Sequence, residues 1–435
     1  MSDLPEFTVD IDQNPYLPAG GQEMHAIVTV RATGGATGGA RTTDAAEIIV
    51  IDTSGSMAYS GKMAAAIRAA KAAVDVLRDG VHFAVVSGAN QPRMVYPQGE
   101  RLVVMNDRTR RAARKAIGAL EAAGGTAIGS WLRLAARLAE ERRGAVRHAI
   151  LLTDGKNQHE EPAELDAALA RCEGAFTCDA LGVGTDWEVA ELRKITTALL
   201  GGFWDVPEPA RLEGHLRGLA EHAMGKEVAD VRLRVWTPQH ARLRFLKQMV
   251  PAVDDLTGKR VASGAQTGDY PLGAWGEEAR EYHLCVQVPP GDVGRQMRAS
   301  WVRLLGPGDA VLAGGNVLAE WTEDEDKSTR INARVAHHTG QSELAEAIQE
   351  GLAARRGGDE DAATARLGRA VALARQVGNA QIAGLLHKVV DVIDEESGTV
   401  RLKKDVSKAD EMSLDTRSVR TVRTRPGGAA PEPGS

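Results

Sequence analysis

Three oxygen-bearing side chains follow an apolar, strand-like run near the start of the sequence. The run Ile48–Ile51 leads into Asp52, Ser54 and Ser56, which stand at alternate positions and are separated by small residues. Alternate residues of an extended loop point to the same side, so one carboxylate and two hydroxyls can converge on one point. Oxygen-only ligands favour a hard cation, and room for water favours Mg²⁺ or Mn²⁺. The same residue types are also common in ordinary turns.

Two later stretches carry further oxygen ligands. Thr126 follows the paired glycines Gly124-Gly125 between two helical patterns, and a second apolar strand pattern ends in Thr153 and Asp154. Unbroken apolar runs of this kind are typical of strands that are buried on both faces of a parallel sheet. Ligands of open α/β sheets bind at the carboxyl ends of such strands. Since Asp52 and Asp154 both lie at strand ends, we expect them at one site.

The order of these motifs resembles that of the von Willebrand factor A (VWA) domain and its metal-ion-dependent adhesion site (MIDAS). The resemblance covers about residues 45–224. All five site positions are matched, namely Asp52, Ser54, Ser56, Thr126 and Asp154.

The resemblance also implies a role for each of these residues. Ser54 and Ser56 would bind Mg²⁺ (or Mn²⁺) directly through neutral hydroxyls, and Thr126 would bind directly or through water. Asp52 and Asp154 would mainly hold coordinated waters. A cation with mostly neutral direct ligands keeps a strong positive charge, so the natural remaining ligand is an Asp or Glu carboxylate of a partner protein.

The composition is that of an ordinary globular protein, with 43% hydrophobic and 26% charged residues. A net charge of -6 does not favour nucleic acid as a partner. The N-terminal residues lack the pattern of a secretory signal, and no stretch approaches the ~20 apolar residues of a membrane helix. Three cysteines, Cys172, Cys178 and Cys285, favour packed free thiols and a reducing compartment. We therefore predict a cytoplasmic protein without membrane insertion.

Hydrophobic periodicity divides the chain into several units. Strand and helix patterns alternate over residues 45–224, which predicts an α/β fold with a doubly wound, mostly parallel six-stranded sheet. A period of two over residues 226–335 predicts a β-sandwich. Residues 1–44 contain two strand patterns that cannot be stable alone. We predict that they join the sandwich, which makes the VWA domain an insertion.

The C-terminal part changes character twice. Residues 340–393 have helical periodicity and predict a helical hairpin or small bundle, whereas residues 394–435 are polar and predict a disordered tail. Within this tail, Thr416 and its neighbours loosely resemble the phosphothreonine motifs that forkhead-associated domains read. This resemblance implies phosphorylation of Thr416, Thr421 or Thr424 by a Ser/Thr kinase, followed by binding of a phosphothreonine reader. A plain basic, solvated tail is the alternative interpretation.

Motifs of the common enzyme classes are missing from the sequence. It has no phosphate-binding loop of the Walker type, no Gly-x-Ser-x-Gly nucleophile elbow and no zinc-type Cys/His spacing. We therefore predict a protein that is not an enzyme but a metal-dependent protein–protein interaction module, an intracellular bacterial adaptor or signalling protein. The alternative is a regulatory VWA subunit of an ATPase-driven chelatase-like or remodelling complex, and this would require a separate ATPase.

Overall fold

The first three strands belong to a sandwich that is completed much later in the chain. The computed structural model describes residues 5–34, 43–330 and 332–421. Its first strands are β1 (Glu6–Gln13), β2 (Tyr16–Pro18) and β3 (Glu23–Thr33). The apolar side chains in the middle of β3 are buried, so this strand needs packing partners that its sequence neighbours do not provide.

Strands and helices then alternate, as the periodicity predicts. The strands are β4 (Ala45–Asp52), β5 (His82–Gly88), β6 (Arg93–Tyr96), β7 (Val103–Val104), β8 (Val146–Thr153), β9 (Thr177–Val183) and β10 (Phe203–Val206). The helices are α1 (Lys62–Val76), α2 (Asp107–Ile117), α3 (Ile128–Glu140), α4 (Pro162–Cys172), α5 (Val189–Ala198) and α6 (Leu212–Met224).

These strands form one sheet in the order β10-β9-β8-β4-β5-β6. Pairing is parallel from β10 to β5, whereas β6 and β7 both pair antiparallel with β5. The predicted number of six strands is wrong, because the two-residue β7 adds a seventh. It occupies the part of the β5 edge that β6 leaves free: β6 pairs with Val85–Ser87 and β7 with His82–Phe83. All eight residues of β4 are buried, which explains its apolar sequence.

The sandwich consists of two sheets whose strands pair antiparallel, except that β2 pairs parallel with its neighbour at the edge of one sheet. Its later strands are β11 (Lys226–Trp236), β12 (Arg242–Val250), β13 (Asp254–Asp255), β14 (Val261–Gly264), β15 (Thr267–Gly276), β16 (Glu278–Gln287), β17 (Gln296–Leu305) and β18 (Val311–Thr322). One sheet has the order β1-β3-β16-β12-β13 and the other β14-β15-β11-β17-β18-β2. The α/β domain therefore lies between two segments of the sandwich. The predicted fold class, an α/β domain with an additional sandwich and a helical unit, is confirmed.

A mainly helical unit follows the sandwich. It comprises α7 (Glu325–Ser328), α8 (Ala333–Arg356), α9 (Glu360–Gln376), α10 (Ala380–Val389), β19 (Val390–Asp394), β20 (Thr399–Leu402) and α11 (Lys408–Ser418). Among the described residues, no helix is both long and apolar enough to cross a membrane. Cys172, Cys178 and Cys285 are buried free thiols, as expected.

The expectation of a disordered tail from residue 394 is wrong as far as residue 421. Residues of this stretch form β20 and α11, and Leu414 is fully buried in the core of the helical unit. Composition misled the prediction because α11 is held largely by polar contacts. Asp415, for example, binds Arg193 of α5 and Arg356 of α8. Residues 422–435 lie outside the described part of the chain.

Candidate metal centre

The candidate site lies at the carboxyl ends of the neighbouring parallel strands β4 and β8. Asp52 is the last residue of β4, and Asp154 directly follows the last residue of β8. The register pairs Ile51 with Leu152, so Asp154 lies one residue beyond the level of Asp52 at the same edge of the sheet. Both aspartates are fully buried. Two negative groups at this depth require compensating hydrogen bonds or positive charge.

Hydrogen bonds hold Asp52 in one orientation. Its Oδ1 accepts the backbone N–H of Ser54 at 2.7 Å, and its Oδ2 accepts the hydroxyl of Thr153 at 2.6 Å. Burial raises the pKa of Asp52, although the hydrogen bonds from Ser54 and Thr153 act in the opposite direction. Asp52 therefore shapes the loop that follows β4 and fixes the positions of the two serines.

The two serine hydroxyls and Asp154 form a continuous chain of oxygens. Ser54 Oγ lies 3.0 Å from Ser56 Oγ, and Ser56 Oγ donates a hydrogen bond to Asp154 Oδ1 at 2.7 Å. The loop that carries Ser54 and Ser56, here called the serine loop, includes a short 3₁₀ turn, Gly55–Ala58, which leads towards α1. Alternate residues of the loop thus present oxygens towards the end of β8, as the sequence predicted.

Thr126 reaches the same place from a third segment. The Gly55 N–H donates to the Gly124 carbonyl at 2.9 Å, which fixes the loop before α3 against the serine loop. A Cβ atom at Gly155 would lie 3.4 Å from Thr126 Oγ1 and 3.6 Å from Ser56 Oγ. The two hydroxyls therefore border one small space, which the missing side chain of Gly155 leaves open. The structure brings all five predicted site residues together.

The loop after Asp154 supports Thr126 and the start of α3. Asn157 Oδ1 accepts the N–H of Ile128 at 2.9 Å, and Glu160 Oε2 accepts the N–H of the following residue, Gly129, at 2.7 Å. His159 Nδ1 accepts the N–H of Thr126 at 3.2 Å. From the sequence, residues 156–159 could either select partners or be merely solvated. Asn157 and His159 instead hold the framework of the site.

Sequence reasoning missed Lys62, the first residue of α1. Its Nζ donates to Asp154 Oδ2 at 2.7 Å and to Asp186 Oδ2 at 3.2 Å, and its side chain is only 8% exposed. Burial lowers the pKa of Lys62, but hydrogen bonds and attraction to Asp154 and Asp186 outweigh burial and raise it. A lysine in the first turn of a helix opposes the helix dipole, and this unfavourable position is a signal of its special role.

The donor set fits a hard cation. Two carboxylates and three hydroxyls face one space, and nitrogen or sulfur ligands are missing from these five residues. In the described residues, no group of three or more His, Cys, Asp or Glu side chains could hold a metal ion. Ser54, Ser56 and Thr126 would hold Mg²⁺ or Mn²⁺, with Asp52 and Asp154 behind them.

The expected phosphorylation sites fit the structure poorly. Thr416 is fully buried in α11, where a kinase cannot reach its hydroxyl. Thr421 is partly buried, and its hydroxyl donates to the Met249 carbonyl. Thr424 lies outside the described residues. The prediction for Thr416 assumed an extended, accessible tail, and the structure shows a buried helical residue instead.

Comparisons with known proteins agree with this architecture. Residues 46–203 match the von Willebrand factor type A domain, and residues 372–418 match the von Willebrand factor type A C-terminal domain. The second match begins within α9 and extends to the end of α11. A 27% identical relative, the uncharacterized protein sll0103 of Synechocystis, aligns over 217 residues, 48% of this chain and 49% of its own. The chain thus spans about half the length of that relative.

Solved structures extend the similarity to nearly the whole chain. The ArnB paralog VWA2 from Sulfolobus acidocaldarius has 14% identity and a TM-score of 0.58, over 95% of this chain and 100% of its own, and shows the fold alone. A von Willebrand factor type A protein from Catenulispora acidiphila has 48% identity and a TM-score of 0.92, over 97% of this chain and 98% of its own. The chain belongs to the von Willebrand factor type A family, whose domain is generally a protein-interaction module.

Proposed function

We propose that the protein is a metal-dependent interaction module that binds Mg²⁺ (or Mn²⁺) at Asp52, Ser54, Ser56, Thr126 and Asp154. A carboxylate of a partner protein, from Asp or Glu, completes the coordination of the ion. The module acts as a bacterial adaptor or signalling protein rather than as an enzyme. The three buried, free cysteines fit a reducing compartment, and we place the protein in the cytoplasm.

The observation that carries this proposal is the convergence of three hydroxyls in front of two fully buried carboxylates. Mg²⁺ prefers six oxygen ligands and keeps several waters in sites with few protein ligands. An ion held mainly by hydroxyls retains an excess of positive charge and exchangeable positions. An anionic oxygen from a second protein is the ligand that this charge favours most.

Metal binding is the first test. Titration calorimetry with Mg²⁺ on the wild-type protein should give a weak, saturable signal that Thr126→Ala and Asp52→Ala reduce or abolish. Thr126→Ala removes one hydroxyl and keeps the backbone contacts of the loop, so it remains informative if Asp52→Ala unfolds. The matched control is Asp107→Ala, since this carboxylate is 80% exposed on α2. Equal metal binding by all four proteins contradicts the proposal.

Partner binding is the second test. Immobilised wild-type protein is incubated with a lysate of its source organism in Mg²⁺ or in EDTA, and the captured proteins are identified by mass spectrometry. We expect proteins that are retained by wild type in Mg²⁺ but not in EDTA and not by Thr126→Ala. Retention that is independent of both changes contradicts a metal-mediated contact. A captured ATPase identifies the remodelling complex, and another type of protein identifies the adaptor role.

A further inference from the structure

An exposed aromatic ring stands next to the candidate metal centre. Tyr59 is 72% exposed, the most exposed large hydrophobic side chain among the described residues. Aromatic residues make up only 4% of the chain, and rings such as those of Trp131 and Trp187 are fully buried. Within the described part of the chain, the Tyr59 ring has no aromatic or cationic neighbour and its hydroxyl has no hydrogen-bond partner. Its apolar surface therefore lacks an intramolecular explanation.

The backbone of Tyr59 is nevertheless firmly held. Its N–H donates to the carbonyl of the site residue Ser56 at 3.3 Å, and its own carbonyl accepts the N–H of Lys62 at 3.1 Å. Ser60 and Gly61 follow with φ values of 55° and 69°, which turn the chain sharply into α1. The turn that carries the ring is thus hydrogen-bonded to Ser56 of the serine loop on one side and to Lys62 of α1 on the other. A contact residue on an ordered backbone loses little conformational entropy on binding.

Charged groups around the site are already paired. Lys62 is bonded to Asp154 and Asp186, and Lys156 forms an ion pair with Glu188. A charged partner residue would have to compete with these internal pairs. Tyr59, in contrast, offers apolar area without such competition. Tyrosine is enriched among the residues that dominate binding energy in protein interfaces.

We propose, on the basis of the proposed function, that Tyr59 is the second anchor of the partner site. The partner is a protein segment that places an Asp or Glu carboxylate on the metal and an apolar side chain against the Tyr59 ring. Tyr59 and Ser56 are the two ends of a turn, and the Cα atoms at the ends of such a turn lie within about 7 Å of each other. An extended segment advances about 3.3 Å per residue, so the two partner residues are separated by about two or three positions.

Selection from random linear peptides tests this partner chemistry. The library is displayed on phage, bound to the full-length protein in Mg²⁺ and released with EDTA. Released peptides should contain Asp or Glu with a proline, leucine or aromatic residue about two or three positions away. A synthetic peptide of the selected consensus should then lose about tenfold or more in affinity on Tyr59→Ala, and less than about twofold on Tyr59→Phe.

Two controls separate this inference from the proposed function. Mg²⁺ titration of Tyr59→Ala should match wild type, and Ile393→Ala, which truncates a 62% exposed side chain of β19, should leave peptide affinity unchanged. Released peptides with Asp or Glu but without an apolar neighbour, or unchanged affinity of Tyr59→Ala, overturn the Tyr59 anchor alone. Loss of Mg²⁺ binding in Tyr59→Ala also overturns it. If wild type binds Mg²⁺ but no EDTA-released peptide carries Asp or Glu, the proposed function fails and the anchor with it.

Discussion

Lys62 Nζ donates a hydrogen bond to Asp154 Oδ2, while the other oxygen of the same carboxylate accepts the hydroxyl of Ser56. A fixed positive charge therefore lies directly behind a proposed metal ligand. It keeps Asp154 in place, and it also lowers the negative potential that would attract a divalent cation. The second carboxylate that Lys62 contacts, Asp186, is 65% exposed and offsets only part of this charge.

The first prediction concerns this charge. Lys62→Gln keeps a hydrogen-bond donor near Asp154 but removes the positive charge. Charges a few ångströms apart at a protein surface interact with several kcal/mol, which solvent screening reduces, so we expect the Mg²⁺ affinity to rise by about tenfold. Titration calorimetry measures the change. Arg68→Gln removes the same charge from the exposed face of α1 and is the control. Unchanged or weaker binding in Lys62→Gln contradicts the prediction.

The second prediction concerns Gly125, which packs against the ring that supports Thr126. A Cβ atom at Gly125 would lie 2.0 Å from His159 Cε1, so Gly125→Ala must displace the ring. His159 would then no longer accept the Thr126 N–H, and we expect Mg²⁺ affinity to fall by about tenfold, the effect of losing roughly one hydrogen bond.

A second glycine provides the matched control for this change. Gly214 lies in α6, and a Cβ atom there would meet nothing within 4 Å. Gly214→Ala should therefore leave Mg²⁺ affinity unchanged and raise stability by roughly 0.5–1 kcal/mol, because alanine favours the helix. Calorimetry and thermal denaturation measure the two quantities. Equal Mg²⁺ affinity of Gly125→Ala and wild type would show that the ring contact does not position Thr126.

The sequence predicts those parts of the fold in which local pattern and structure coincide. The unbroken apolar pattern of β4 reflects a strand buried on both faces, and Asp52 and Asp154 come together because adjacent parallel strands end at the same edge. The contact of Lys62 with Asp154 spans 92 positions along the chain, and no local pattern identifies Asp154 as the partner of this lysine. The same holds for α11: its polar composition suggests disorder, and its order depends on distant partners such as Arg193.

The third prediction concerns a buried charge network at the opposite end of the α/β sheet. His148 Nδ1 lies 2.9 Å from Glu47 Oε1, and its Nε2 lies 3.2 Å from Asp179 Oδ2. Both ring nitrogens face carboxylate oxygens, and the charged imidazolium can donate to both at once. Burial alone would lower the pKa of His148, but Glu47 and Asp179 outweigh burial and raise it to about 10.

The sign of the pH effect follows from this shift. The pKa of His148 in the folded protein lies above its unfolded value of about 6.5. The contribution of His148 to stability is therefore complete below about pH 6.5, the unfolded pKa. It is lost as the pH rises through about 10. His148→Gln should lower stability by about 3–5 kcal/mol near neutral pH, and the difference from wild type should shrink towards the alkaline limit. Thermal denaturation of both proteins at a series of pH values measures this difference in stability. The control is His387→Gln, which replaces a half-exposed histidine. A constant difference at all pH values contradicts the charged state of His148.

The last prediction concerns Asp415, which joins α11 to α5 of the α/β domain and to α8 of its own helical unit. Its carboxylate accepts hydrogen bonds from Arg193 of α5 at 2.6 Å and from Arg356 of α8 at 3.2 Å, and it is only 3% exposed. Asp415→Asn removes the charge that both guanidinium groups face. It should lower the free energy of unfolding by roughly 2–3 kcal/mol, a loss that is limited because both arginines are partly solvated. Hydrogen exchange over residues 408–418 should accelerate, since α11 has few apolar contacts to retain it. Asp391→Asn, at a carboxylate that is 60% exposed, should change neither quantity. Unaltered exchange in Asp415→Asn would mean that the other contacts of α11, such as those of the buried Met412 and Leu414, hold the helix in place.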